Sequence, residues 1–161
     1  MSGLVTQTRQ KGRGSGLSQG FTFHRFTTSY SNWPKPYGCT MLVIEVIGAG
    51  GGGGGGGSGA GTNASGGGGG GGGALARLSF PAASPGETLT IAVGDGASGG
   101  TLANSGGYGG NSTVTDDDSS KIIISAFGGG VGYFNNGTNQ APGGGGGGTA
   151  SRGSSATTVN A

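Results

Sequence analysis

Charge, cysteine, proline and long apolar runs are all scarce in this chain. Of 161 residues, 8 are Lys or Arg and 6 are Asp or Glu, so the formal net charge is only +2. Low hydrophobicity marks disorder when it comes with high net charge, and that second condition fails here. The single cysteine, Cys39, excludes a disulfide-stapled miniprotein and fits synthesis in a reducing compartment. Five prolines, with glycine in solid runs rather than at every third position, exclude collagen. The longest apolar stretch, 41–47, is interrupted by Glu45. A bilayer span needs about 20 residues, so no membrane insertion is expected. No apolar run follows Arg9, Lys11 and Arg13, so no secretory leader is expected either. Leu, Ile, Val and Phe together number 26, too few for an enzyme-sized core. One small domain with an extension is expected.

Glycine is what the chain has in excess: 46 residues, against a usual share of roughly 7%. Between the glycines lie short β-type segments. Residues 21–26 (FTFHRF) read as a strand of aromatic and β-branched residues. Residues 29–40, with Trp33, Pro34, Pro36 and Gly38, read as a rigid loop. The best strand is 40–47 (TMLVIEVI), with Leu42, Ile44 and Val46 on one face and Met41, Val43, Glu45 and Ile47 on the other. Both faces are mostly apolar, which predicts a central strand buried on two sides. Residues 74–80 and 88–93 read as two more strands, separated by the turn residues Ser84-Pro85-Gly86-Glu87. Residues 111–115 and 122–126 read as a further pair, joined by Asp116-Asp117-Asp118-Ser119-Ser120. No ten-residue segment shows glycine-free helical periodicity, so the class is all-β.

The glycine runs are placed in a pattern. Residues 50–57 follow the central strand, 66–73 precede the next, 128–130 follow the last, and 143–148 come near the end. Two readings are open. The runs are flexible loops, or they are ordered threefold extended helices of the polyproline II type, rising about 3.1 Å per residue. A structureless loop of some two dozen residues inside a compact domain is rare, which favours order. Eight such residues span roughly 25 Å, the length of a long strand.

The chemical motifs are weak. Gly48-Ala49-Gly50-Gly51-Gly52-Gly53 satisfies GxGxxG after a strand, but the helix that should hold a pyrophosphate would have to start in consecutive glycines. No Lys adjoins a long glycine run, as a Walker loop requires. His24 is the only histidine, so neither a zinc site nor a Cys39–His24 pair has a supporting pattern. Asp116, Asp117 and Asp118 lack the spacing of an EF-hand and read as a solvated turn. No catalytic residue, metal site or cofactor is assigned, and the chain is expected not to be an enzyme. Residues 1–20 read as a polar arm carrying Arg9, Lys11 and Arg13. With no aromatic residue among these cations, nucleic acid is not the expected ligand and docking to a partner is the plainer reading. The best recognition candidate is Tyr133-Phe134-Asn135-Asn136, because aromatic rings and amides beside glycine make adaptable binding loops. Tyr108 and Trp33 are similar candidates; the alternative is that these rings cap the core or the glycine layer.

In order along the chain stand Phe21-Thr22-Phe23, Gly48-Ala49-Gly50-Gly51, the 66–73 glycines, Pro85-Gly86-Glu87-Thr88, Val93-Gly94 and Gly109-Gly110-Asn111-Ser112. This set, over about residues 20–148, resembles the glycine-rich domain of bacteriophage tail fibres and related virion proteins. The 33–38 loop departs from that pattern as an insertion. The resemblance implies a small, jelly-roll-like β-sandwich with ordered polyglycine II-type segments or glycine-rich loops. It implies a domain over 21–148 between an anchoring arm (1–20) and a tail (149–161). It further implies a structural part of a virion, made in host cytoplasm: a tail fibre, spike or decoration component, with host-surface attachment as a role it could serve. The partners implied are other virion proteins through residues 1–20, further copies of the chain (three by family analogy) and a host-surface glycan. A stand-alone carbohydrate-binding module is the alternative.

Overall fold

The computed structural model describes residues 3–10, 20–57, 66–135 and 142–155, with side chains from Thr22 onward. Its strands are β1 (Gly3–Gln10), β2 (Gly20–Phe26), β3 (Tyr30–Pro34), β4 (Cys39–Ile47), β5 (Leu75–Pro81), β6 (Thr88–Ala92), β7 (Ser112–Asp116) and β8 (Lys121–Ala126). No helix occurs among the described residues. The strands form two antiparallel four-stranded sheets, ordered β2-β1-β4-β5 and β3-β6-β7-β8. The fold is a small β-sandwich.

Alternation along the strands builds the core. Leu42, Ile44 and Val46 of β4 are fully buried, and Ala76 of β5 joins them from the same sheet. Leu89, Ile91, Val114, Ile124 and Ala126 face them from the other sheet. β4 is central, paired to β1 and β5, as its composition suggests. The expectation of burial on both faces fails. Val43, Glu45 and Ile47 are only half-buried and Met41 is 43% exposed. One sheet packs on one face of β4, and nothing among the described residues covers the other.

Two strands lie where the sequence suggests none. Residues 3–10, within the segment read as an arm, form β1, which is inserted between β2 and β4 with Thr6 opposite both His24 and Ile44. Its mixed polar composition carries no clean period-two signal, and the pairing comes from the two flanking strands. β3 occupies the segment read as a rigid loop. It is an edge strand, where a proline missing its N–H does no harm. Its register shifts between Tyr30 and Trp33, where Asn32 adopts φ 55°.

Substitution I44A should lower stability by about 2–5 kcal/mol, because the cavity lies between two sheets that cannot collapse independently. Met41→Ala, on the uncovered face, should cost under about 1 kcal/mol. Chemical denaturation of the two variants checks the contrast.

Candidate functional site

Beyond the sandwich the strands continue as glycine-rich runs. β4 leads into residues 48–57, β6 into 94–101 and β8 into 127–135, while 66–73 leads into β5 and 104–110 into β7. Residues 142–148 and 151–155 add two further runs. In the 48–57 run, Gly48, Gly51 and Gly54 donate their N–H groups to the carbonyls of Ala74, Gly71 and Gly68, each at 2.8 Å. Ala49, Gly52 and Gly55 donate instead to Gly110, Gly107 and Asn104 at 3.0, 2.9 and 2.8 Å. The carbonyls of Gly50 and Gly53 accept from Ala97 and Gly100 at 3.1 and 2.7 Å. Each neighbour is met at every third residue, the repeat of a threefold extended helix. The runs are therefore ordered, and the flexible-loop reading is set aside for them.

The 127–135 run is the most enclosed. Its Gly129, Gly132 and Asn135 donate to Ala49, Gly52 and Gly55. Its Phe127, Gly130 and Tyr133 donate to Gly148, Gly145 and Pro142, and their carbonyls accept from Ala74, Gly71 and Gly68. Residues 151–155, which the sequence places in the tail, close this side: Gly153 donates to Gly128, and Ser154 accepts from Gly145. Such spacing leaves no room for side chains. A Cβ on Gly51 would stand 2.0 Å from the Gly130 carbonyl oxygen, and one on Gly71 would stand 2.0 Å from that of Gly145. A net backbone hydrogen bond is worth about 1 kcal/mol, while ordering a residue costs about 1–2 kcal/mol. The lattice is thus not self-supporting. The sandwich strands that feed it set its register and supply the missing stability.

The end away from the sandwich gathers the recognition candidates only in part. Tyr133 and Phe134 lie there as a stacked pair, with ring centroids 5.0 Å apart. The Phe134 N–H donates to the Ser105 hydroxyl at 3.3 Å. Asn135 is buried and its amide donates to the Gly66 carbonyl, so it holds the lattice end together. Asn136 lies outside the described residues. Tyr108 sits on a flank of the lattice, 45% exposed, with the Arg152 guanidinium 5.1 Å from its ring centroid and its hydroxyl 2.6 Å from that of Ser155. Trp33 is a core residue, buried against His24 and Phe26 in the sandwich. Arg9 falls in β1, whereas Lys11 and Arg13 lie outside the described residues. Sequence reasoning missed Leu102, 62% exposed in the 101–104 turn at the same end as Phe134. A lone leucine between polar residues carries no signal of its own.

At the opposite end, the acidic turn has a structural role. The Asp116 carboxylate accepts from the N–H groups of Gly86 and Asp118 and from the Ser119 hydroxyl. Asp118 accepts from the Glu87 N–H at 3.3 Å. A Cβ on Gly86 would press on both carboxylates, so a larger residue there would have to displace the Asp116 and Asp118 side chains from these bonds. Among the described residues no group of three or more His, Cys, Asp or Glu is placed to hold a metal ion. The Ser119 hydrogen bond, reinforced by backbone N–H groups against an opposing effect of burial, holds the Asp116 carboxyl below its ordinary 3.8. A lowered carboxyl contributes stability above the ordinary value and loses it as pH falls through the folded-state value.

Asp116→Asn should therefore lower the melting temperature at neutral pH, and wild type and variant should converge as pH falls below 3.8; melting curves against pH check the sign. In the lattice, Gly51→Ala should destabilise by more than about 3 kcal/mol because backbone atoms must move. Gly66→Ala, whose Cβ meets nothing within 4 Å, should be neutral or stabilising by up to about 1 kcal/mol. Denaturant midpoints separate the two.

No curated protein and no solved structure matches the chain. A family model described as a glycine-rich domain matches residues 26–161. The match takes in the lattice and every strand from β3 onward, and β1 with nearly all of β2 precedes it. With the greater part of its length covered, the chain belongs to this glycine-rich domain family.

Proposed function

We propose that this chain is a non-enzymatic structural part of a bacteriophage particle, a tail fibre, spike or surface decoration, whose glycine lattice presents an attachment end to a host surface. The observation that carries the reading is the pairing of an exposed turn with aromatic and apolar side chains, Phe134 and Leu102, at the lattice end farthest from the sandwich. The 101–104 turn lies there, closed by the Asn104 N–H donating to the Thr101 carbonyl at 2.9 Å. Leu102 is 62% exposed in that turn, and the Phe134 N–H donates to the Ser105 hydroxyl just beyond it. A backbone-bonded, glycine-rich scaffold holds this end at a fixed distance from the sandwich. A turn on a rigid frame tolerates sequence change, the usual arrangement for recognition loops. On this reading β1 belongs to the sandwich rather than to a docking arm, and repeated copies on a particle turn weak contacts into avidity.

The stacked Tyr133–Phe134 pair favours one second reading, a stand-alone carbohydrate-binding module, since flat aromatic faces suit sugar rings. A glycan array on the isolated chain separates the two. Strong monomer binding supports the module, whereas silence together with incorporation into particles supports the virion part.

In particles that carry the chain, mass spectrometry should find it in fixed stoichiometry with other structural proteins; recovery only as free protein contradicts the proposal. Phe134→Ala should reduce adsorption of such particles to host cells about tenfold, the effect of losing roughly 1.4 kcal/mol at an anchor residue, with an unchanged melting temperature. Adsorption equal to wild type would remove the lattice end from the attachment role.

A further inference from the structure

The lattice has an uncovered edge. In the 66–73 run, the N–H groups of Gly68 and Gly71 are bonded inward, to Tyr133 and Gly130. The N–H groups of Gly66, Gly67, Gly69, Gly70, Gly72 and Gly73 have no partner among the described residues, and these six glycines are exposed. The carbonyls of Gly67, Gly70 and Gly73 are likewise unpartnered among the described residues. The neighbouring 142–148 run, bonded in parallel through Gly144 to Gly69 and Gly147 to Gly72, continues the same edge with the exposed N–H groups of Gly143 and Gly146, which bond to no described residue. A row of free donors and acceptors on an ordered extended chain is the equivalent of an open edge strand, which templates pairing with another chain.

A second observation concerns the glycines themselves. Inside the lattice they are required, because a Cβ would meet backbone oxygen near 2 Å, as at Gly51, Gly70 and Gly71. At Gly66, Gly69 and Gly72 a Cβ would meet nothing within 4 Å, and none of the three has the positive φ that favours glycine. Glycine loses more conformational entropy on ordering than any other residue. Packing within the chain gives no return for that loss at these three positions, which recur at the lattice repeat of three. Close approach of another backbone would give one.

We propose that the edge formed by residues 66–73 and 142–148 docks the same edge of a second copy, the two 66–73 runs lying antiparallel about a twofold axis. Antiparallel neighbours are already the bonding mode of 48–57 with 66–73, so the donors and acceptors needed are of the kind each edge offers. A partner of ordinary sequence brings side chains that hold the backbones apart, whereas this chain brings a bare run of matched repeat. A twofold contact is self-complementary and closed. The area is small. Two runs about 25 Å long make a face of a few hundred Å² per copy, roughly half of what a stable free dimer needs. The contact is consequently weak between free copies and takes hold where copies are tethered in an assembly.

The test is the concentration dependence of amide NMR shifts in the full chain, from about 0.05 to 2 mM, the range that resolves a weak dimer. Shifts should move with concentration at Gly69, Gly70, Gly72, Gly73 and Gly146 and stay fixed at Gly51 and Gly130. Substituting Gly69→Val together with Gly72→Val should weaken the dependence at least tenfold while keeping the melting temperature. Gly96→Val, another lattice glycine whose Cβ meets open space, should leave it unchanged. Absence of any dependence in the wild type, its persistence in the double variant, or movement mapping to another face overturns the proposal. Unfolding of the double variant also overturns it, since the open space at these positions would then be false.

Discussion

The lattice depends on one interaction: a backbone N–H···O bond made at every third residue between glycine-rich runs. Each bond is ordinary. What is unusual is that a single run satisfies several neighbours at once, because successive residues of a threefold helix point in different directions. Gly51 donates to the 66–73 run, Gly52 donates to the 104–110 run, and Gly53 accepts from the 94–101 run. A β-strand offers its backbone to two neighbours in one plane. The glycine run offers it all round, so a three-dimensional bundle replaces a sheet. The requirement for bare backbone follows directly, since the space between runs is filled by oxygen and Cα hydrogens.

The sandwich makes this possible. Its apolar core is small, with Leu42, Ile44, Val46, Leu89, Ile91 and Val114 at its centre, yet it fixes where strands enter the lattice. Junction residues carry the register across. Gly48 donates to Ala74, Ala74 donates to Phe127, and the Gly128 N–H donates to the Asn111 side-chain amide oxygen at 3.0 Å. Polyglycine has no sequence with which to choose its own alignment. These non-glycine or strand-bound positions choose it, and Asn135 locks the other end. Hydrophobic burial thus fixes the alignment, and backbone bonding extends it into a stiff body.

Much of this is legible in the sequence, and the gaps have physical reasons. β4 and β6 to β8 stand out because β-branched residues alternate or cluster between turn residues, and β5 because Leu75, Leu78 and Phe80 lie between a glycine run and Pro81. Order in the glycine runs is favoured over flexibility by their length and position, and the bonding pattern decides between the two. Which run lies against which does not follow from the sequence, because identical residues carry no pairing code. β1 is illegible because Thr6 and Thr8 take their place through register with β2 and β4 rather than through their own hydrophobicity. Trp33 reads as a recognition candidate because an aromatic beside prolines suits a loop as well as a core. Only the bulged register of β3 turns it inward. Asn135 stands out in the sequence for its amide, but that amide is spent on the lattice itself. Of the candidate end, the sequence shows Tyr133 and Phe134 and hides Leu102.

Amide hydrogen exchange in the folded chain tests the central claim most directly. Exchange should be slow at Gly51, Gly52, Gly54, Gly71, Gly130 and Gly132, whose N–H groups are bonded inside the lattice. It should approach the free-chain rate at Gly69 and Gly72, which lie on the same runs but bond to no described residue through N–H. A protection pattern with this three-residue alternation is the expected result. Uniformly fast exchange across residues 48–57 and 66–73, with the sandwich strands still protected, would contradict it.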